Sequence, residues 1–583
     1  MKNKYLVFLL MFVATTASAQ STQWLTWFEQ TNGLETPRYD QTLEFCHRLD
    51  SASSIINTLN FGKSPQGQDL IALIADKDGL DSPEQIKQKG RLILMVNACI
   101  HSGEPDGKDA GLVLLRDMAI NGKYKELLQN VSILFIPVFS ADGHERFSAY
   151  NRINQNGPKE MGWRTTATNL NLNRDFLKVQ AQETRMWLGL YNHWLPDFFI
   201  DCHTTDGADY QYVVTYSLEA DGNINPALSK WQKETYLPFV EKKMFASGNP
   251  IFPYVVFRNW HDPRSGLISQ IAPPILSQGY VAMRNRPSLL IETHMLKPYK
   301  QRVLATNAMI RFTLEMMNKE ALQLKFAIQT ADQEVLSNDF RNKEYPLQYS
   351  TSPNDSIMVE FLGVEYRITK SDLTGGDWFQ YGSKKAIFKI PMFKQYQPME
   401  STKLPKAYII PIEWQDIIER LKIHGVQMQT LTETKILKVK SYKFSNVKQR
   451  DQSYEGCQTV TFDQQEIEEE RTYYPGSVII PVSQPLAKII ISMLEPKAGG
   501  SLLSWGFFNT IFEQKEYAES YVMEVEARKM LAQSSELRKE FETKKASDPS
   551  FAKDPRAIYN WFYQRSPWFD NRLNVYPVGK ITE

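Results

Sequence analysis

The sequence predicts an α/β fold, a sheet covered by helices on both faces, followed by an α+β C-terminal region. Two observations carry this. From about residue 20 to 325, short apolar runs alternate with longer amphipathic stretches. After Leu336 the apolar runs follow one another with turn signals between them. The chain has 583 residues, 42% hydrophobic and 23% charged. That exceeds one domain of about 100–200 residues, and the composition excludes wholesale disorder. A formal charge of +1 makes no electrostatic case for nucleic acid or an anionic membrane surface.

The elements follow in order. Met1–Ala19 has Lys2 and Lys4, an apolar run from Tyr5 to Val13, and small residues ending Ala17-Ser18-Ala19. This is the pattern of a secretory signal peptide cleaved after Ala19, and the apolar run is too short for a membrane anchor. Its removal takes away two lysines and leaves a formal charge of −1. The expected location is therefore exported, periplasmic or secreted, with no later membrane span. Residues 20–330 are expected to form a first domain. Its candidate strands are Leu70–Ala75, Arg91–Ile100, Val131–Phe139, Asp197–Cys202 and Ser288–Glu292, each near-continuously apolar as in a sheet buried on both faces. Candidate helices are Pro105–Asn121, Ala181–Trp194, Leu228–Phe245 and Thr306–Thr330. Residues 331–583 are expected as the α+β region. Its strands fall at Ile357–Thr369, Ala386–Pro391, Lys435–Phe444, Thr459–Phe462 and Ser477–Pro481, and helices run from Lys515 to Phe562. The acidic run Glu466–Glu470 reads as a solvated loop. Cys46, Cys99, Cys202 and Cys457 show no disulfide-framework spacing.

In α/β folds, sites gather at the carboxyl ends of strands. H-x-x-[DE] occurs three times, at His47/Asp50, His101/Glu104 and His203/Asp206. Only the second joins a buried strand end to a helix start, with Pro105 opening the helix and Gly103 bending the backbone between. His203 ends another apolar strand. Two His and one Glu with an open position make a catalytic zinc site, and Asp201, on the same strand face, is placed to orient an imidazole. Read alone, His203 is equally a hydrogen-bonded histidine at a loop mouth. Asn173-Arg174 is suited to grip a carboxylate, Arg174 by a bidentate fork, though a structural ion pair fits Arg174 too. Glu292 ends a buried strand, where an acid is costly unless paired or at work, and suits a general base.

His101/Glu104, the turn at Asp142-Gly143, the run Asn171-Leu172-Asn173-Arg174-Asp175-Phe176, His203 and Glu292 resemble, in this order, the motifs of the zinc carboxypeptidases. The resemblance covers roughly residues 60–300. A His₂Glu ligand set with an open fourth position is the general pattern of that family's catalytic zinc. The resemblance implies a mixed sheet flanked by helices and one zinc ion held by His101, Glu104 and His203. It also implies Glu292 as base, Asn173 and Arg174 on the substrate's carboxylate, and Arg164 on the oxyanion, with Arg152 its rival. The family's mobile tyrosine is expected at Tyr280, with Tyr254 as the alternative. Two positions depart from the pattern: Ser140-Ala141 stand where the family has Asn-Pro, and Asn171 stands where it has an acid. The implied activity is a metallocarboxypeptidase acting on peptides with a free C-terminal carboxylate. The rivals are a zinc amidase or deacylase acting on cell-wall peptides or acylated amino acids, and a non-catalytic binding protein on this scaffold. No feature assigns a role to residues 331–583.

Overall fold

The computed structural model describes residues 23–205 and 207–582. The expected signal segment 1–19 and Asp206 lie outside them. The described residues divide into two compact units. The first runs to Lys406 and includes Gln415–Met428 and Ile480–Leu502; the second takes Ala407–Trp414, Gln429–Ile479 and the described residues from Leu503.

Among the described residues, nine strands precede residue 300: β1 Ile56–Lys63, β2 Asp69–Ala75, β3 Leu92–Asn97, β4 Val131–Ile136, β5 Phe198–Thr205, β6 Val214–Leu218, β7 Ile251–Pro253, β8 Leu267–Ile268 and β9 Ser288–His294. Eight of them form one mixed sheet in the order β1-β2-β4-β3-β5-β9-β6-β7. The centre, β4-β3-β5-β9, is parallel, and β3, β4, β5 and β9 are buried along their whole length. That burial is why these segments lack period-two alternation. On one face, Leu94, Val96, Ile133, Ile200 and Ile291 join Leu112 and Leu115 of helix Asp106–Ala119 and Ile310 of helix Tyr299–Lys319 in a single core. On the other, Trp187 of helix Gln182–Trp194 stacks on Tyr191 and meets Phe199.

β3 follows the expected segment only to Asn97, because Cys99 adopts a left-handed φ of 54° and turns the chain out of the sheet. The expected helix Leu228–Phe245 is present as Pro226–Lys230, a π-turn at Trp231–Tyr236 and Leu237–Ala246. The widened turn, with Leu237 N–H bonded to Gln232 O, precedes Pro238, which has no N–H to give. The helix expected at Thr306–Thr330 is two, Tyr299–Lys319 and Ala321–Leu336.

The boundary expected at residue 330 is displaced. β10 Glu344–Thr351 and β13 Tyr396–Lys403 pair, as do β11 Ser356–Lys370 and β12 Asp377–Phe393, and all four belong to the first unit. β12 continues onto β8 through Met392 and Leu267, and Phe361 and Ile390 pack with Tyr210 and Phe257. The second unit contains a long hairpin of Lys435–Gln449 and Val460–Tyr473, with Gly579–Ile581 beside it. It also holds helices Ser520–Gln533, Ser535–Ser547 and Pro555–Tyr563. Glu466–Glu470, expected as a loop, lies within the hairpin, where Glu466 meets Lys440 at 2.8 Å and Glu468 meets Lys438 at 2.5 Å. Cross-strand charge pairing keeps an acidic run in a strand. All four cysteines are buried and none is in a disulfide, and no described helix is long and apolar enough to cross a membrane.

Candidate metal centre and active site

From β3 the chain passes to β4 on one side and to β5 on the other. A crevice opens at the carboxyl ends of strands at such a reversal, and the candidate residues meet there. His101 and Glu104 lie between β3 and helix Asp106–Ala119, His203 lies in β5, and Glu292 is its register partner in β9. One ligand atom from each of His101, Glu104 and His203 lies within 4.8 Å of the others, all three residues being buried.

Gly103 has no unusual φ; its need is space. An added Cβ would sit 2.9 Å from Arg152 Cγ and Cδ and 2.9 Å from Gly162 O. Arg152 crosses this glycine to reach Glu104 Oε1 at 2.9 Å.

Each imidazole turns Nδ1 inward and Nε2 outward. His101 Nε2 donates to Asn171 Oδ1 at 3.0 Å, which leaves its Nδ1 lone pair toward the centre, and His203 Nε2 donates to Asp201 Oδ2 at 3.0 Å with its Nδ1 also facing the centre. His101 Nδ1 is buried with no hydrogen-bond partner, 3.1 Å from Glu104 Oε1. His203 Nδ1 lies 3.1 Å from Glu104 Oε2, which also accepts the Thr204 N–H at 3.0 Å. Burial pushes His101 down to about 4, so it is neutral at pH 7. Burial opposes charge at His203 and Glu104 too, but neighbours outweigh it. Asp201 and Glu104 hold His203 well above its ordinary range, and His101 and Arg152 hold Glu104 well below. An orphaned imidazole nitrogen beside an ionised carboxylate and a second inward nitrogen is the donor set that Zn²⁺ takes.

Asn171, although neutral, supplies the acceptor. Its Oδ1 also takes the Asn173 N–H at 3.1 Å, which positions the turn Leu172–Arg174. Asp201 accepts from Asn97 Nδ2 at 3.2 Å and from Ser277 Oγ. The Ser277 N–H in turn donates to Asn173 Oδ1 at 3.1 Å. Ser277 thus ties the His203 support to the turn Leu172–Arg174; no sequence motif marks it.

The triad opens into a cavity of about 1340 Å³, which Arg152, Arg164, Asn173, Arg174, Tyr254 and Glu292 also line. Arg164 lies 3.5 Å from Glu104 Oε1 with its side chain 43% exposed; Arg152 is 15% exposed and held by its ion pair. Arg164 is thus the more exposed of the two. Tyr280 is placed elsewhere. It is fully buried on helix Ser277–Met283 among Phe176, Trp187 and Tyr191, and its hydroxyl lies 2.9 Å from His424 Nδ1. Of the two candidate tyrosines, Tyr254 is the one that lines the cavity.

Residues 42–193 match the family model "Zinc carboxypeptidase". The chain is similar to Carboxypeptidase 2 of Trichophyton rubrum, 25% identical over 490 residues, covering 82% of this chain and 85% of that protein. It is likewise similar to Carboxypeptidase 2 of Trichophyton tonsurans, at 24% over 495 residues, with the same coverage. Among solved structures, a metallo-carboxypeptidase from Burkholderia cenocepacia overlaps 48% of this chain and 69% of its own, at 15% identity and a TM-score of 0.36.

Proposed function

The chain carries a domain of the zinc carboxypeptidase family, a hydrolase with one zinc ion, and from that premise we propose an exported metallocarboxypeptidase that removes the C-terminal residue of peptides. The observation that carries the reading is one cavity holding the inward-facing His101/Glu104/His203 triad, the carboxylate of Glu292 and the guanidinium of Arg174. When bound, the zinc ion supplies a Lewis acid that acidifies water and polarises a carbonyl. Glu292, on the strand beside His203, takes the proton of the attacking water and returns it to the leaving amine. Arg164 faces the negative charge that develops on the carbonyl oxygen. Asn173 and Arg174 hold the terminal carboxylate, which restricts cleavage to the last bond. Export rests on the segment Met1–Ala19.

The test compares wild type with Glu292→Gln on peptides ending in a free or an amidated carboxylate, with zinc content measured in parallel. Wild type is expected to cleave only the free-ended peptides. Glu292→Gln is expected to retain one zinc and lose turnover by roughly 10²–10⁴-fold, the usual contribution of a positioned base. Full activity of the variant, or equal cleavage of amidated peptides, overturns the reading.

A further inference from the structure

The cavity continues beyond the metal triad along the sheet. β6 and β9 run antiparallel, with Thr215 opposite Glu292 and Ser217 opposite Leu290, and the Glu219 N–H donates to Ser288 O at 3.3 Å. Opposed residues share a face and alternate residues repeat it. Glu292, Leu290, Ser217 and Glu219 therefore form one column, and all four line the cavity. Between the levels of Glu292 and Glu219 the column descends four residues, about 13 Å at the strand rise.

Glu219 closes this column and is 5% exposed. Ser217 Oγ donates to its Oε1 at 2.9 Å and the Ala272 N–H to its Oε2 at 3.1 Å. The charged group acting on it is another acid, Asp221, which is itself paired with Lys233. A third acid, Glu241, lines the same cavity and accepts from the Tyr216 hydroxyl at 2.9 Å. The cations Arg152 and Arg164 are engaged at Glu104, and neither Arg174 nor Lys394, which also line the cavity, acts on Glu219. A carboxylate buried without a cation is costly, and burial pushes its pKa up to about 7. An apolar group brought against it would deepen that cost, and an acidic one would be repelled. A cation would offset it.

We propose that Glu219 receives the cationic side chain of the substrate's C-terminal residue, so that peptides ending in Lys or Arg are the preferred class. This rests on the carboxypeptidase reading, because it seats the terminal carboxylate at Arg174 and sends the terminal side chain down the column. A long side chain extends furthest down the column toward Glu219. Glu219 acts here as a specificity residue, remote from the reacting atoms.

Binding and turnover separate the two readings. Zinc-loaded Glu292→Gln is titrated calorimetrically with N-acylated dipeptides ending in lysine, in its uncharged analogue norleucine and in glutamine. Wild-type turnover is measured on the same three. Lysine is expected to bind about 10–100-fold tighter than norleucine, as for a charged hydrogen-bonded contact. Glu292→Gln/Glu219→Gln is expected to abolish that preference while keeping norleucine affinity, because Gln still accepts from Ala272. Equal binding of lysine and norleucine, a preference that survives Glu219→Gln, or no binding of any peptide overturns the proposal. If the double variant does not fold, the ranking in Glu292→Gln decides by itself. Intact ranking with no wild-type turnover on any peptide would sink the hydrolase reading and leave the charge assignment standing.

Discussion

Asn171 stands where the zinc carboxypeptidases that this chain resembles carry an acid, and its geometry shows how small the difference is. A carboxamide oxygen at 3.0 Å does for His101 Nε2 what a carboxylate oxygen would do: it accepts the proton and leaves Nδ1 free to ligate. What it lacks is the negative charge that makes the imidazole more basic. Asn171→Ala removes the acceptor and is expected to weaken zinc binding by about 10–100-fold, read by competition with a chelator. Asn171→Asp keeps the acceptor and is expected to bind zinc at least as tightly as wild type. An alanine variant with unchanged affinity would mean the ring is held by packing alone.

At the scale of the element, the loop from Ala98 to Pro105 makes the site. β3 delivers the chain to the switch point, and the left-handed turn at Cys99 lifts it from the sheet before His101. Gly103 then lets Arg152 pass at close range to Glu104. A methyl group at 103 meets the backbone oxygen of Gly162 as well as the Arg152 side chain, so the arginine cannot yield alone. Gly103→Ala is expected to cost about 1–3 kcal/mol, as overpacking does, measured by denaturant unfolding. Zinc affinity is expected to fall with it as Arg152 leaves Glu104. A variant as stable as wild type would show that the loop has slack the distances do not suggest.

At the scale of the whole molecule, the three candidate ligands come from two separate stretches of the first unit, the β3 loop and β5. A ligand that binds only the folded state stabilises it by mass action, about 4 kcal/mol when it stands at a thousand times its Kd. Stripping zinc with a chelator is therefore expected to lower the first unit's thermal midpoint, and re-addition to restore it. No shift on chelation would contradict a site assembled by folding. The first unit also absorbs the hairpins through Lys403, so truncation at residue 330 is expected to remove part of its core.

The sequence by itself determined the buried parallel strands, because a strand covered on both faces must be apolar throughout. It also determined the residues His101, Glu104, His203, Asn173, Arg174 and Glu292 as candidates, because each is polar where a buried strand ends or a polar loop begins. Tyr280 shows where this stops: one tyrosine near a loop reads like another, and only packing decides that Tyr280 is in the core and Tyr254 in the cavity. The extent of the first unit was hidden for the same reason, since β12 meets β8 across more than a hundred residues of chain. Ser277 and Glu219 belong to no motif. Their positions follow from strand register and from which oxygen a neighbouring N–H can reach, and only the folded chain decides that.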